Sequence, residues 1–223
     1  MTNSLTRTQV REIDARAMAE YGISGLVLME NAARGCTNAL LTVGCRGPVV
    51  VCCGKGNNGG DGFAIARQLN EAGIVVRVLL LARAAELKGD ALANYQIALN
   101  CQLPIEEIGS NVTADEIDAC FEGAEWIVDA LLGTGTTGDP KGPYATAIKR
   151  MNAATAKRLA VDLPSGLDCD TGKLGQPTVD ADLTCTFVAA KQGFAQPAAQ
   201  AHLGEVRVIP IGVPRKLLAD YGL

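Results

Sequence analysis

Two patterns of apolar and polar residues divide the chain. In the N-terminal part, apolar residues recur every three or four positions, as on one face of an amphipathic helix. One predicted helix is capped by Thr6 or Thr8 and ends near Gly22, where glycine favours a helix end. A second helix begins after Ser24 and ends close to Gly44. These helices precede the repeating part of the sequence, so we expect them to cover or complete the core.

From Pro48 onward, short apolar runs alternate with helical patterns. A run as uninterrupted as VVVCC is typical of a strand buried on both faces of a parallel sheet. Alternating strands and helices predict a doubly wound, mostly parallel sheet within one domain over residues 1–223. The predicted strands are 48–53, 74–81, a short candidate at 104–108, 126–132, 158–163, 181–188 and 205–211; the predicted helices are 61–73, 85–102, 113–123 and 143–152.

Composition and charge narrow the class of protein. The 223 residues, 48% of them hydrophobic, suffice for a sizeable core. The net charge of −4, with no basic run longer than pairs such as Lys157-Arg158, argues against a nucleic-acid surface. The N-terminus has no apolar signal-peptide core, and no stretch approaches the ~20 apolar residues that cross a bilayer. We therefore expect a soluble cytoplasmic protein with no nucleic-acid or membrane partner.

Cysteine and histidine do not form a recognisable metal motif. The eight cysteines include no CxxC pair, and several lie inside apolar runs, which favours buried reduced thiols. A zinc site would therefore need thiolates at unusual spacing. The single histidine, His202, follows a helical pattern and has no evident partner, so we interpret it as a core or surface residue.

Polar loops follow three of the predicted strands, and ligands bind at the carboxyl ends of strands in such sheets. The first loop, residues 54–62, contains G-x-G-x-x-G between a strand and a helix, where glycines let backbone amides approach phosphates. The next strand ends LLLAR, without the acid that holds a ribose hydroxyl in dehydrogenases, and no P-loop Gly-Lys-Ser/Thr closes the loop. An NAD-dependent oxidoreductase is thus disfavoured, and a ligand-free turn remains an alternative.

The second and third loops each begin with an aspartate. Asp129 lies inside an apolar strand, so its carboxylate needs a cation, a strong donor or a raised pKa, or else simply caps the loop. The Gly/Thr run over residues 133–139 can act as an anion nest. Asp162 ends the strand RLAVD and is a candidate general base. Ser165 is a poor nucleophile candidate, because the motif is not G-x-S-x-G.

The three loops together suggest a cation site. If the strands bring Asn58, Asp129 and Ser165 together, they form an all-oxygen cluster with one carboxylate. Oxygen ligands suit a hard cation. Several carboxylates would favour a divalent ion, so this set favours a monovalent ion such as potassium.

These motifs resemble those of a known family. GKGNNGGDG, the D-x-L-x-G-T-G strand end and VDLPSGLD resemble the NAD(P)H-hydrate epimerase family, the YjeF N-terminal domain. LMENAARG, at 28–35, and KQGF, at 191–194, are similar to its secondary motifs. The resemblance covers nearly the whole chain, and GNNGGDG joined to DLPSGLD is highly specific.

The resemblance implies a Rossmann-like α/β/α three-layer sandwich with two extra N-terminal helices. It implies an isomerase that epimerises the R and S forms of NADHX and NADPHX at nicotinamide C6, feeding an S-specific, ATP- or ADP-dependent dehydratase. A homodimer is expected, through the N-terminal helices. The implied substrate contacts are Asn57, Asn58, Gly59, Gly60, Asp61, Gly133, Thr134, Gly135, Thr136, Thr137, Gly138, Asp139, Tyr144 and Asp162.

The resemblance also implies one potassium ion per subunit, held by Asn58, Asp129 and Ser165. In the mechanism we expect, Asp162 is the base and Lys191 is a candidate acid, with an ordinary solvated lysine as the alternative. A non-catalytic nucleotide- or partner-binding module on the same fold stays open. The intact set of loop residues favours the enzyme, because a scaffold would be free to lose them.

Overall fold

A sheet of seven parallel strands carries the functional loops. In the computed structural model, which describes residues 4–109 and 112–223, the strands are β1 (Val49–Cys53), β2 (Val76–Leu80), β3 (Ile105–Glu107), β4 (Trp126–Ala130), β5 (Lys157–Val161), β6 (Leu183–Phe187) and β7 (Glu205–Ile209). Their order across the sheet is β3-β2-β1-β4-β5-β6-β7. The chain therefore builds the sheet outward in both directions from β1 and β4, as the prediction of a doubly wound sheet requires.

Helices cover both faces of this sheet. They are α1 (Arg7–Tyr21), α2 (Gly25–Thr42), α3 (Asn57–Glu71), α4 (Gly89–Asn100), α5 (Ala114–Phe121), α6 (Pro143–Ala153), α7 (Pro197–Leu203) and α8 (Arg215–Ala219). Side chains alternate along each strand, so Val49 and Val51 pack against the layer of α1 to α4, whereas Val50 packs toward α5 and α6. The three-layer sandwich is confirmed, and it explains why the strands are apolar on both faces.

The predicted helix at 61–73 begins too late. α3 starts at Asn57, directly after Gly56, so the segment interpreted as a loop forms its first turn. A Cβ atom on Gly59 would overlap the Gly54 carbonyl, and one on Gly60 would lie 2.8 Å from the Met29 side chain. The glycines permit close packing of a helix, which composition alone does not distinguish from a loop.

Two other predictions need correction. The helix predicted at 85–102 starts at Gly89, because a 3₁₀ turn over Ala84–Glu86 and extended backbone at Lys88 precede it. His202 does have a partner, since its Nδ1 lies 2.5 Å from Oδ1 of Asp180. That contact joins α7 to the loop before β6, and sequence spacing does not reveal it.

The N-terminal helices begin and end where predicted. Thr6 caps α1 in a reciprocal capping box with Gln9, and Ser24 caps α2. The segment before α1 pairs with a distant part of the chain, because Leu5 N donates to Ala190 O and Gln192 N donates to Leu5 O, both at 2.9 Å. These bonds hold the start of α1 beside the carboxyl end of the sheet.

The burial of the cysteines and the character of the helices are those of a globular protein. None of the eight cysteines is in a disulfide, and all are buried except Cys101, which is exposed, and Cys120, which is partly exposed. Within the described ranges, no helix combines the length and the apolar character needed to span a bilayer.

Candidate active site

The cavity of interest lies where the sheet reverses its direction of growth. β1 and β4 are neighbours, and the chain leaves them toward opposite sides, which leaves a crevice beyond their carboxyl ends. Gly54 N donates to Ala130 O at 2.9 Å, and a Cβ atom on Gly54 would overlap the Leu131 carbonyl oxygen. The two loops thus touch backbone to backbone at the floor of the crevice, and only glycine fits there.

A cavity of about 600 Å³ fills this crevice. It is lined by the loops after β1 and β4, the ends of β5 and β6, and α1. Among the predicted substrate contacts, those that line it are Asn57, Asn58, Asp61, Gly133, Thr134, Gly135, Thr136, Tyr144 and Asp162. Its volume falls in the range of sites for cofactor-sized ligands.

The other predicted contacts lie elsewhere. Gly59 and Gly60 are inside α3 and serve its packing. Thr137, Gly138 and Asp139 line an adjoining cavity of about 130 Å³, shared with the loop after β5. Asp139 also accepts a hydrogen bond from Gln176 N at 3.0 Å, which ties the two loops together.

Several cavity residues were missed by the sequence analysis. α1 contributes Val10, Arg11 and Asp14, and the loop after β1 contributes Lys55. A signal for Asp14 was present, because it lies four residues after Val10 and therefore on the apolar stripe of α1. A carboxylate on an apolar stripe is costly to bury, so it is a reason to suspect a role.

Asp162 is held at the end of β5 by one of its two carboxylate oxygens. Oδ1 lies 2.7 Å from Lys191 Nζ and accepts hydrogen bonds from Thr186 Oγ1 at 3.3 Å and Phe187 N at 3.2 Å. Within the described ranges no protein group bonds to Oδ2. The backbone φ of Asp162 is +68°, a strained value for a residue other than glycine. The residue is 7% exposed, so its free oxygen faces the cavity and little else.

Lys191 lies behind Asp162 and outside the cavity. It is completely buried, so it is no ordinary solvated lysine. Besides the Asp162 carboxylate, its ammonium group reaches Thr186 Oγ1 at 2.9 Å and Phe187 O at 3.0 Å. These partners satisfy the three donors of a buried ammonium group. Lys191 therefore fixes the Asp162 carboxylate and does not line the cavity.

Two further carboxyl groups, Asp14 and Asp61, face the same cavity. Burial raises the pKa of Asp14 to about 6; repulsion from Asp162 adds to the rise, and Lys191 opposes it. Burial also raises the pKa of Asp61 well above its ordinary value, with Asp162 and Asp14 adding to the rise. The cavity thus holds carboxyl groups whose affinities for protons differ, an arrangement that proton-transfer sites use.

Asp129 and Ser165 form a separate buried pair beneath the loops. Ser165 N donates to Asp129 Oδ2 at 2.7 Å, and Ser165 Oγ donates to Oδ1 at 2.6 Å. Leu131 N also donates to Oδ1, at 3.2 Å, and Leu132 N donates to Ser165 Oγ at 2.9 Å. Burial raises the pKa of Asp129 to about 6, and the hydrogen bonds from Ser165 and Leu131 limit the rise.

Asn58 approaches this pair through the β4 loop. Its side chain packs against Gly133, where an added Cβ would lie 3.3 Å from Asn58 Cβ, and its Nδ2 is buried without a hydrogen-bonding partner. In the part of the chain that the structure describes, no three His, Cys, Asp or Glu residues cluster as a divalent metal site would need. Asp129 and Ser165 are thus hydrogen-bonded to each other, and Asn58 packs against the loop that follows β4.

Comparison with known proteins decides the family. The family model described as YjeF-related protein N-terminus matches residues 25–193. The chain belongs to the YjeF-related family. This finding confirms the resemblance carried by the three loop motifs.

Members of this family resemble the chain over nearly its whole length. It is 48% identical to the NAD(P)H-hydrate epimerase of Pirellula staleyi, over 96% of this chain and 94% of that protein. It is 44% identical to a bifunctional NAD(P)H-hydrate repair enzyme Nnr of Pyrobaculum aerophilum, over 93% of this chain but 42% of that longer protein. The crystal structure of the yeast protein YNL200c matches with a TM-score of 0.80 at 22% identity, covering 99% of this chain and 93% of that chain, which supports the fold.

The raised pKa of Asp129 predicts how stability depends on pH. Its pKa is about 6 when folded and 3.8 ordinarily, so between these values the folded state holds more protons than the unfolded state. The free energy of unfolding therefore falls as pH rises from 4 to 7, by about 3 kcal/mol from this group. Asp129→Asn removes this contribution. Urea titrations of both proteins in potassium-free buffers should show their difference changing by that amount, whereas parallel pH curves would contradict the prediction.

Proposed function

We propose that the protein is an isomerase that interconverts the R and S forms of hydrated NADH and NADPH at nicotinamide C6. The observation that carries the proposal is Asp162, which has one oxygen fixed by Lys191 and the other free in a cofactor-sized cavity. The 48% identity to an NAD(P)H-hydrate epimerase over nearly both full lengths supports the same reaction.

The loops offer suitable partners for a dinucleotide. The N-terminus of α3, at Asn57 and Asn58, provides backbone amides and a positive dipole end for phosphate groups. Lys55 and Arg11 line the same cavity and carry positive charge. The Gly/Thr run of the β4 loop adds amides and hydroxyls and continues through residues 137–139 into the adjoining cavity, which can take a further part of the nucleotide.

The reaction needs one group that takes a proton and one that gives a proton. Epimerisation at C6 proceeds through reversible breaking of the C6–O or C6–N bond, and general acid-base catalysis assists either route. Oδ2 of Asp162 acts as the base. Lys191 was our candidate acid, but its burial behind Asp162 favours a positioning role, in which it orients the carboxylate.

We also propose that potassium binds beside Asp129. Asn58, Asp129 and Ser165 would hold it, and one carboxylate with neutral oxygens suits a monovalent cation better than a divalent one. The buried Asn58 amide lacks a partner for its nitrogen and can present its oxygen instead after a half turn of the side chain. When bound, the ion supplies positive charge that compensates Asp129 and orders the loops after β1, β4 and β5.

Potassium should stabilise the protein in a pH-dependent way. At ten to a hundred times its Kd, we expect about 1–3 kcal/mol of added stability relative to choline chloride at equal ionic strength. The effect should be larger at pH 7.5 than at pH 5, because Asp129 must be ionised. Thermal unfolding measures it. Asn58→Ala should reduce the effect, whereas the exposed Asn38→Ala should not. Equal melting temperatures in both salts would contradict the proposal.

The reaction itself is tested with a coupled assay. An R/S mixture of NADHX is treated with excess S-specific dehydratase until only the R form remains, and this protein is then added. Rapid loss of the R form is expected. Asp162→Asn should slow it by about 10²-fold or more, because it removes the base while keeping a side chain of the same shape. Circular dichroism should show that the variant is folded.

Asp115→Asn is the matched control, since Asp115 is exposed on α5 and does not line the cavity. It should leave the rate unchanged. If the wild-type protein removes the R form no faster than the blank, the isomerase proposal fails and the binding-module alternative takes its place. If the wild-type protein is active and Asp162→Asn is just as active, the assignment of Asp162 as the base fails.

The proposed product defines the partner. The S form feeds an ATP- or ADP-dependent dehydratase; support comes from bifunctional repair enzymes, of which this chain matches less than half. A cytoplasmic location, testable by cell fractionation, follows from its nucleotide substrate and its unpaired thiols.

We further propose a homodimer formed through the N-terminal helices. Met18 and Val27, 45% and 49% exposed, leave an apolar surface on α1 and α2. Sedimentation velocity should give a dimer, and Val27→Glu should give a monomer because it would bury an unpaired charge. Glutamate at this third position of α2 favours the Ser24 cap, so the fold should persist. Val75→Glu, at an exposed site before β2, should stay dimeric. A wild-type monomer would contradict the proposal.

A further inference from the structure

The proposed mechanism leaves Asp14, a carboxyl group of the cavity, without a role. Asp14 lies on α1 and lines both the main cavity and a side cavity of about 130 Å³ between α1, α2 and α3. Among the residues that the structure describes, its carboxyl group forms no hydrogen bond and no ion pair. Asp61, which lines both cavities, shares this property among the described residues, whereas Asp129 is bonded to Ser165 and Asp168 lies 2.8 Å from Arg7.

The orientation of Asp14 is imposed by its helix. Ile13 and Ala17, on the same stretch of α1, are completely buried in the core, and the start of the helix is fixed by the Thr6 cap and the Leu5 pairing. α1 therefore cannot rotate to bring Asp14 into solvent. A half-buried carboxyl group without a partner costs stability, and such costs are typical of catalytic sites.

Asp14 and Asp162 approach the cavity from different layers of the fold. Asp162 is at the end of β5, whereas Asp14 projects from the helix that lies beside the carboxyl end of the sheet. Both line the same space, and Asp162 is the charged group that most disfavours the ionised form of Asp14. A ring between them would have one carboxyl group on each side.

We propose that Asp14 is the second catalytic carboxyl group, which exchanges a proton with the C6 hydroxyl on the face of the ring opposite Asp162. The inference rests on the proposed function and names the missing acid. Of the two routes, it requires the one in which the C6–O bond breaks and the C6–N bond stays intact.

Protonated Asp14 gives its proton to the C6 hydroxyl, the C6–O bond breaks, and the N1 electron pair forms an N1=C6 double bond as water leaves. A second water adds its oxygen to C6 from the other face, the double-bond pair returns to N1, and the water proton passes to Oδ2 of Asp162. Solvent returns that proton from Asp162 to Asp14. One water is released and one is consumed, and in the reverse direction the two carboxyl groups exchange roles.

Asp14 suits this role better than Asp61. The pKa of Asp14 is raised to about 6, so the group can both give and regain a proton near neutral pH. The pKa of Asp61 is raised well above its ordinary value, and Asp61 is almost completely buried, so it tends to keep its proton. The charged groups around Asp14 in the two cavities are Arg11, Lys55, Asp61, Asp90 and Asp162. The buried Lys191 lies behind Asp162 and also acts on Asp14.

The test compares Asp14→Asn with Glu12→Gln, a charge-matched change at an exposed position of the same helix. In the coupled assay, Asp14→Asn should lower turnover by about 10²-fold or more, and Glu12→Gln should not. The wild-type rate should fall as pH rises above about 6, and the residual rate of Asp14→Asn should lose this dependence. At pH 8 the melting temperature of Asp14→Asn should equal or exceed that of wild type, because the variant removes an unpaired charge.

Three results would overturn the inference. The first is full activity of Asp14→Asn. The second is loss of activity in Asp14→Asn together with a lower melting temperature, which would mean a structural role. The third is loss of the alkaline decline in rate in Asp61→Asn but not in Asp14→Asn, which would make Asp61 the acid. A wild-type protein that is itself inactive would instead contradict the proposed function, so the two failures are distinguishable.

Discussion

The buried ion pair of Lys191 with Asp162 is the interaction on which the cavity depends. The Lys191 ammonium group bonds to the end of β5 and to β6, and the backbone on either side of Lys191 pairs with Leu5. Leu5 leads into α1, which forms part of the cavity wall. A single buried cation therefore links the sheet, the carboxylate and the covering helix, and loss of one partner of such a pair leaves an uncompensated charge.

The close approach of the loops after β1 and β4 is a second constraint, and it depends on backbone geometry. Gly54 lets the two loops meet, and Gly59 lets α3 begin directly against the Gly54 backbone, while Gly60 lets α3 pack closely on Met29 and Ala91. Because these contacts exclude side chains, the amides at the start of α3 remain available to a ligand. The glycines therefore account both for the tight packing of this loop and for the polar backbone that it presents.

The sequence predicted the sheet well because the strands are short and apolar on both faces. It predicted Asp129, Asp162 and Ser165 as polar residues at strand ends, since a parallel sheet gathers those ends at one edge. It could not predict that Lys191 is buried, because its partners come from β5 and β6 and a lysine in KQGF looks solvated. Asp14 was not predicted from the pattern of α1, because the apolar residues define the buried face of the helix and one polar residue among them does not alter it.

The pairing of Leu5 with residues 190–192 has a consequence for how the protein is made. Helix α1 is synthesised before the sheet, yet the backbone that fixes its start, at residues 190–192, emerges from the ribosome only after β6. Contacts between such distant segments form late, because the intervening chain must already be ordered. The nascent polypeptide can thus assemble β1 to β5 while its binding pocket stays open on one side, and it gains a complete wall only when the last strands are in place.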